Sequence, residues 1–215
     1  MRRLRRVAPD SRQPAERVMF STSDYRDSSF ARSFNEWHVL AIIQTIFASI
    51  TAVANGQLVD TSMGLTPSGG VIMSTRCGDF DPGVLEFVAR EHNYNAEALG
   101  VLVDRQSGML GVSGVSGDMR MRRALAPSNS DAALAIAMFC HSIKKQIAGM
   151  VAVLGGIDAP VFTGGIGEND GATRHSICER LDGMGIIVAP SILHVMPVQE
   201  HEQIALNSWR LTYET

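Results

Sequence analysis

The stretch Val161-Phe162-Thr163-Gly164-Gly165-Ile166-Gly167-Glu168-Asn169 constrains this chain more than any other. A short apolar run ends in a glycine-dense turn, and Asp170 to Leu181 beyond it reads as helix. A strand that feeds directly into a helix belongs to a layered α/β fold. Three glycines in four positions permit positive φ angles and bring bare backbone N–H groups close to a neighbour. The helix start behind them adds partial positive charge. That is the chemistry of a phosphate or nucleotide cradle, and equally that of a tight strand-to-helix turn without a ligand. It is not a Walker loop, because no Gly-Lys-Ser/Thr follows. Gly165-Ile166-Gly167 with Gly171 half-matches a dinucleotide fingerprint, which normally opens its domain, whereas this turn comes late.

The rest of the chain supplies alternating elements. Residues 50–54 and 57–61 flank Asn55-Gly56 and predict a hairpin. Val71-Ile72-Met73 fits a short strand or helix. Asp81-Pro82 starts a helix, with Asp as cap and Pro at the first helical position, and Val84, Leu85, Phe87 and Val88 supply its apolar face. A second helix is predicted from near Asn95 to before Gly108, followed by a Gly/Ser-rich loop over 111–117. Asn129 or Ser130 caps the longest helix, whose apolar positions keep helical spacing to Leu154 before Gly155-Gly156 stops it. A strand at 160–163, the glycine turn and its helix follow. Further strands at 186–188 and near Val195, and a last helix from about Glu200, complete a mixed sheet flanked by helices.

Composition excludes several classes. With 45% hydrophobic residues in 215 the chain can bury a core, and a net charge of −3 argues against nucleic acid as partner. Cys77, Cys140 and Cys178 have no CxxC spacing, which points to a reducing, cytoplasmic setting without a structural zinc site. Residues 38–59 lack Asp, Glu, Lys and Arg, yet Gln44, Thr45, Ser49, Thr51, Asn55 and Gly56 interrupt the run, so no membrane span is expected. Residues 1–36 carry scattered Arg, Ser and Pro without helical or strand periodicity and read as a disordered tail.

Three charged positions have two readings each. Arg76 stands beside Asp79 and Asp81 on a loop leading into a helix. It is either half of a surface ion pair or a planar fork aimed at a phosphoryl group or carboxylate. Asp118, beside Met119 and Arg120, is either a polar loop residue or an acceptor for ribose hydroxyls. Glu200 complements a helix N-terminus or reaches a metal ion.

Taken in order, the motifs become specific. Asp60-Thr61-Ser62-Met63-Gly64-Leu65-Thr66-Pro67, Thr75-Arg76-Cys77-Gly78-Asp79-Phe80-Asp81-Pro82, Ser107-Gly108-Met109-Leu110-Gly111, Asp118-Met119-Arg120 and Phe162 to Asn169 closely resemble the acetate kinase family. The resemblance implies a ribonuclease H-like domain of the sugar kinase, actin and heat-shock ATPase superfamily, corresponding to the family's C-terminal half. It implies phosphoryl transfer between ATP and acetate, with propionate or another short-chain acid as the alternative, Mg²⁺ as cofactor and a homodimer. Arg76 then matches the arginine that stabilises the transferring phosphoryl group. Asp118, Met119 and Arg120 match a nucleoside-contacting segment. Gly165, Ile166, Gly167, Glu168 and Asn169 match the nucleotide loop, and Glu200 matches a magnesium-binding glutamate.

The chain departs from the family in two places. Pro197-Val198-Gln199-Glu200-His201 stands where Pro-Thr-Asn-Glu-Glu is usual, and Ile43-Gln44-Thr45-Ile46-Phe47 replaces the His-Leu-Gly-Asn-Gly phosphate loop. The expected organisation is a non-family segment over 1–47 and a nucleotide-binding domain over 48–215, a truncated or frame-shifted acetate kinase. It lacks the family's N-terminal domain, with its second magnesium ligand, substrate arginine and catalytic aspartate. Little or no kinase turnover is expected of such a chain, and a nucleotide-binding or dimerising remnant is the non-enzymatic alternative.

Overall fold

The computed structural model describes residues 38–44, 48–55, 57–181, 183, 193–197 and 209. Among them a five-stranded sheet has the order β3-β2-β1-β4-β5. The strands are β1 (His38–Gln44), β2 (Ala48–Ala54), β3 (Gln57–Thr61), β4 (Ala159–Thr163) and β5 (His194–Val195). Strand β2 runs antiparallel to both neighbours, with Ala41 opposite Thr51 and Thr51 opposite Thr61. The pairs β1–β4 and β4–β5 are parallel, with Ala41 opposite Val161 and Val161 opposite His194. This is the expected mixed sheet.

The helices are α1 (Pro82–His92), α2 (Ala96–Arg105), α3 (Gly108–Ser113), α4 (Met119–Leu125), α5 (Ser130–Leu154), α6 (Gly164–Asn169) and α7 (Gly171–Cys178). Helix α5 is the organising support. Asn129 caps it by accepting from the amides of Asp131 and Ala132 at 3.0 and 2.9 Å, and Gly155 ends it at φ 75°. Its stripe Ala132, Ala135, Phe139, Ile143, Ile147 and Met150 recurs every three or four residues and is buried. Ile50 and Ala52 of β2, Phe162 of β4, Met109, Met119 and Ile177 join the stripe from Ala135 to Met150 in one core.

Four findings differ from the sequence reading. Strand β1 lies inside the segment expected to fall outside the domain, and it occupies the middle of the sheet. Its uncharged run shows no alternation and so carries no face signal in the sequence. The predicted loop over 111–117 begins as helix, because α3 continues to Ser113 and the Gly111 amide donates to Ser107 O at 3.0 Å. Residues 71–73 form neither strand nor helix. They lie in an irregular loop whose Val71 and Met73 side chains are buried. Helix α1 has its Asp81 cap and Pro82 start, but no residue of it is buried, and Val84 and Phe87 stand 49% and 55% exposed. The predicted strand at 186–188 and helix from Glu200 fall outside the described residues.

Candidate nucleotide site

The glycine-dense turn is itself helical, over Gly164–Asn169. Strand β4 is buried throughout and passes at Thr163 directly into α6. Of its three glycines only Gly164 takes a positive φ, 78°, where a side chain would strain the backbone. The Gly164 amide donates to Glu168 Oε1 at 2.9 Å, and Asn169 Nδ2 donates to Gly165 O at 2.9 Å. Arg174 Nη1 closes the other end by donating to the carbonyls of Gly167 and Glu168 at 2.7 and 2.9 Å. Gly165 and Asn169 are exposed, Ile166 and Glu168 are half-buried, and Gly167 is buried over Phe162. The turn thus sits at the carboxyl end of a parallel strand, where ligands of open α/β sheets bind.

The second element is the start of α4. Asp118 is its N-cap, accepting from the Arg120 amide at 2.8 Å. It also receives the Arg120 guanidinium, with Nη2 2.8 Å from Oδ2. These bonds hold the Asp118 carboxyl down at about 2. Arg120 extends into solvent with its side chain 91% exposed, whereas Met119 is buried in the core. Met119 therefore supports the segment from below.

Residues that sequence reasoning did not single out bind these pieces together. Arg123 of α4 reaches the Asp170 carboxylate at 3.0 Å, and its guanidinium also donates to the Thr173 hydroxyl. Asp170 is the N-cap of α7 and accepts from the Thr173 amide at 2.9 Å. Burial raises the Asp170 carboxyl, but hydrogen bonds from Thr173 and Arg123 outweigh it, so the carboxyl ends below its ordinary value. The Asp118 segment and the glycine turn are therefore tied across the domain. An Asp just before a helix followed by Thr three residues on was the available signal for Asp170. Nothing in the spacing marks Arg123 or the fully buried Arg122.

The Arg76 loop is joined to the Asp118 turn. Its loop docks on the helix ends beside it: Cys77 N donates to Val103 O, Ser107 N to Thr75 O, and Met109 N to Met73 O, at 2.9–3.0 Å. Gly108, at φ 63°, is required there because a Cβ would lie 2.6 Å from Arg76 O. Asp104 stands 3.8 Å from Arg76 Nε, and Ser68 donates to the same carboxylate oxygen. The Ser74 hydroxyl donates to Gly117 O and joins this loop to the Asp118 turn. Glu200 lies outside the described residues. No group of three His, Cys, Asp or Glu suited to a metal ion occurs among the described ones.

Comparison with known proteins identifies the family. A model of the acetokinase family matches residues 28–208, beginning before β1. An acetate kinase from Brachyspira hyodysenteriae is 52% identical over 139 residues, which is 65% of this chain and 35% of that protein. The crystal structure of Porphyromonas gingivalis acetate kinase superposes with a TM-score of 0.78 at 34% identity, covering 83% of this chain and 50% of its own. A propionate kinase from Francisella tularensis gives 0.77 at 32% identity, with 85% and 52% covered. The chain thus spans about a third of the curated relative and half of each solved structure. With the match extending over most of its residues, the chain belongs to the acetokinase family.

Proposed function

We propose that this domain is the nucleotide half of an acetate kinase site, acting in phosphoryl transfer between ATP and acetate, with propionate or another short-chain acid as alternative substrate. The observation that supports the reading is the linkage of three segments by side-chain hydrogen bonds. The Asp118 turn is bridged to the glycine turn through Arg123 and Asp170, and the Arg76 loop is fastened to Gly117. Asp118 and Arg120 address the nucleoside, and Gly165, Ile166, Gly167, Glu168 and Asn169 line the phosphates. Arg76 supplies positive charge to the phosphoryl group in flight. Phosphoryl transfer depends mainly on positioning and charge stabilisation, so these groups suit it. Mg²⁺ is assigned through Glu200 by sequence alone, and no ligand group for it occurs among the described residues.

The domain is proposed to start at or before His38, since β1 separates β2 from β4. A cytoplasmic setting is proposed from the reduced cysteines, and no described helix is long and apolar enough to cross a membrane. Homodimerisation is proposed on the exposed Val84 and Phe87 of α1. Sedimentation of the chain as a monomer at micromolar concentration would remove that part.

Calorimetry with ADP, paired with an acetyl phosphate assay, tests the central reading. Binding with negligible turnover is expected of this chain. Turnover at about 1–1000 s⁻¹ would show that the site is complete, and absence of ADP binding would overturn the reading.

A further inference from the structure

Arg122 has no part in the reading above, yet it is the largest fully buried side chain among the described residues. A fully buried position on α4 would ordinarily take an apolar residue. Instead its Nη1 and Nη2 donate to the carbonyls of Ser116 and Gly117, the latter at 2.6 Å. These are the two peptide groups immediately before Asp118. Burial lowers the guanidinium's affinity for its proton, and the Asp118 carboxylate acts in the opposite direction. Arg122 Nε is buried with no hydrogen-bond partner among the described residues. A buried charge with one donor unmet works against stability. Such locally unfavourable choices concentrate where a site needs a geometry that packing alone does not give.

The carbonyls it grips explain that geometry. Gly117 O accepts from Arg122 and from the Ser74 hydroxyl, so one oxygen joins the Asp118 turn to the Arg76 loop. The Asp118 amide is meanwhile held by Ser116 Oγ at 3.0 Å. With both carbonyls turned onto the guanidinium, the turn has one orientation left, and Asp118 and Arg120 project from it.

Resting on the nucleotide reading above, we infer that Arg122 is the positioning residue for the nucleoside side of the site, acting through the 116–118 turn without touching the ligand. The test uses the full chain and three probes: ADP, adenosine and inorganic pyrophosphate. Arg122→Met is expected to fold with little change in Tm, because loss of the unmet buried charge offsets loss of the donor to Ser116 O, while Gly117 O keeps the Ser74 hydroxyl. Its affinity for adenosine and ADP should fall about tenfold or more, while its pyrophosphate affinity stays that of the wild type. Arg122→Lys, which keeps the charge but loses the fork, should recover part of that affinity. If Arg122→Met does not fold, Arg122→Lys carries the same three-probe comparison.

Equal weakening toward all three probes, or none toward any, overturns the inference. If the wild type binds no probe, the nucleotide reading fails instead. Hydrogen exchange at Gly117 and Asp118 then decides the clamp: faster exchange in Arg122→Met upholds it, and unchanged exchange overturns it.

Discussion

Helices α1 and α5 begin alike and are used differently. Asp81 caps one and Asn129 the other, each accepting from amides at about 3 Å. Yet α5 buries seven residues along its length while α1 buries none. A helix start is decided within a few residues by the orphan N–H groups of the first turn. Whether the apolar face is covered depends on what the rest of the fold places opposite. Helix α5 has a sheet across from it. Helix α1 is covered only in part: Leu85, Val88 and Ala89 are half-buried, and Phe87 and Val84 face outward.

The largest effects should fall on the α5 side. Phe139→Ala is expected to destabilise by about 3–5 kcal/mol in urea denaturation, whereas Phe87→Ala should change the monomer by less than about 1 kcal/mol. Equal losses would mean that α1 is packed after all and would dissolve the contrast. Next, Gly108→Ala should destabilise by about 1–3 kcal/mol, since φ is 63° and the new Cβ meets the Arg76 backbone. A neutral outcome in the same assay would show that the Arg76 loop is free to shift. Asn129→Ala should lower the global stability by about 1 kcal/mol, because its helix is part of the cooperative core.

The smallest effect concerns Asp118, and it is one of pH. Its carboxyl lies below the ordinary carboxylate value. The capping contribution is therefore fully present above about pH 4 and is lost as pH falls through about 2. NMR titration of Asp118 with a midpoint near the ordinary value would show that the Arg120 contact does not persist in solution.

Much of this was readable in the residues, and the gaps have physical causes. Caps at Asp81, Asn95 and Asn129 mark helices because their side chains bond locally, and the hairpin follows from Asn55-Gly56. Strand β1 escaped notice because an apolar run with no alternation carries no face signal. The glycine stretch read as a turn before the helix and not as helix itself, because Gly164 and Gly165 have poor helix propensity. The helical turn forms nonetheless, held by Glu168 at one end and Arg174 at the other. Of the candidate site, Asp118, Arg120 and Arg76 were singled out through motif order. Arg122 and Arg123 were not, since arginine in a helix ordinarily signifies the solvent face. Their partners lie on the turn before the helix and 47 residues ahead, beyond any local pattern.

The Arg123–Asp170 bridge has a consequence for how such a domain can change over time. Asp170 serves two masters: it starts α7 and it holds α4. A graft that brings in another relative's 118–125 segment without an arginine at the matching place would strip a partner from a helix cap far away in the chain. The two segments can therefore be exchanged between relatives only as a set, and a drift in one narrows the substitutions open to the other.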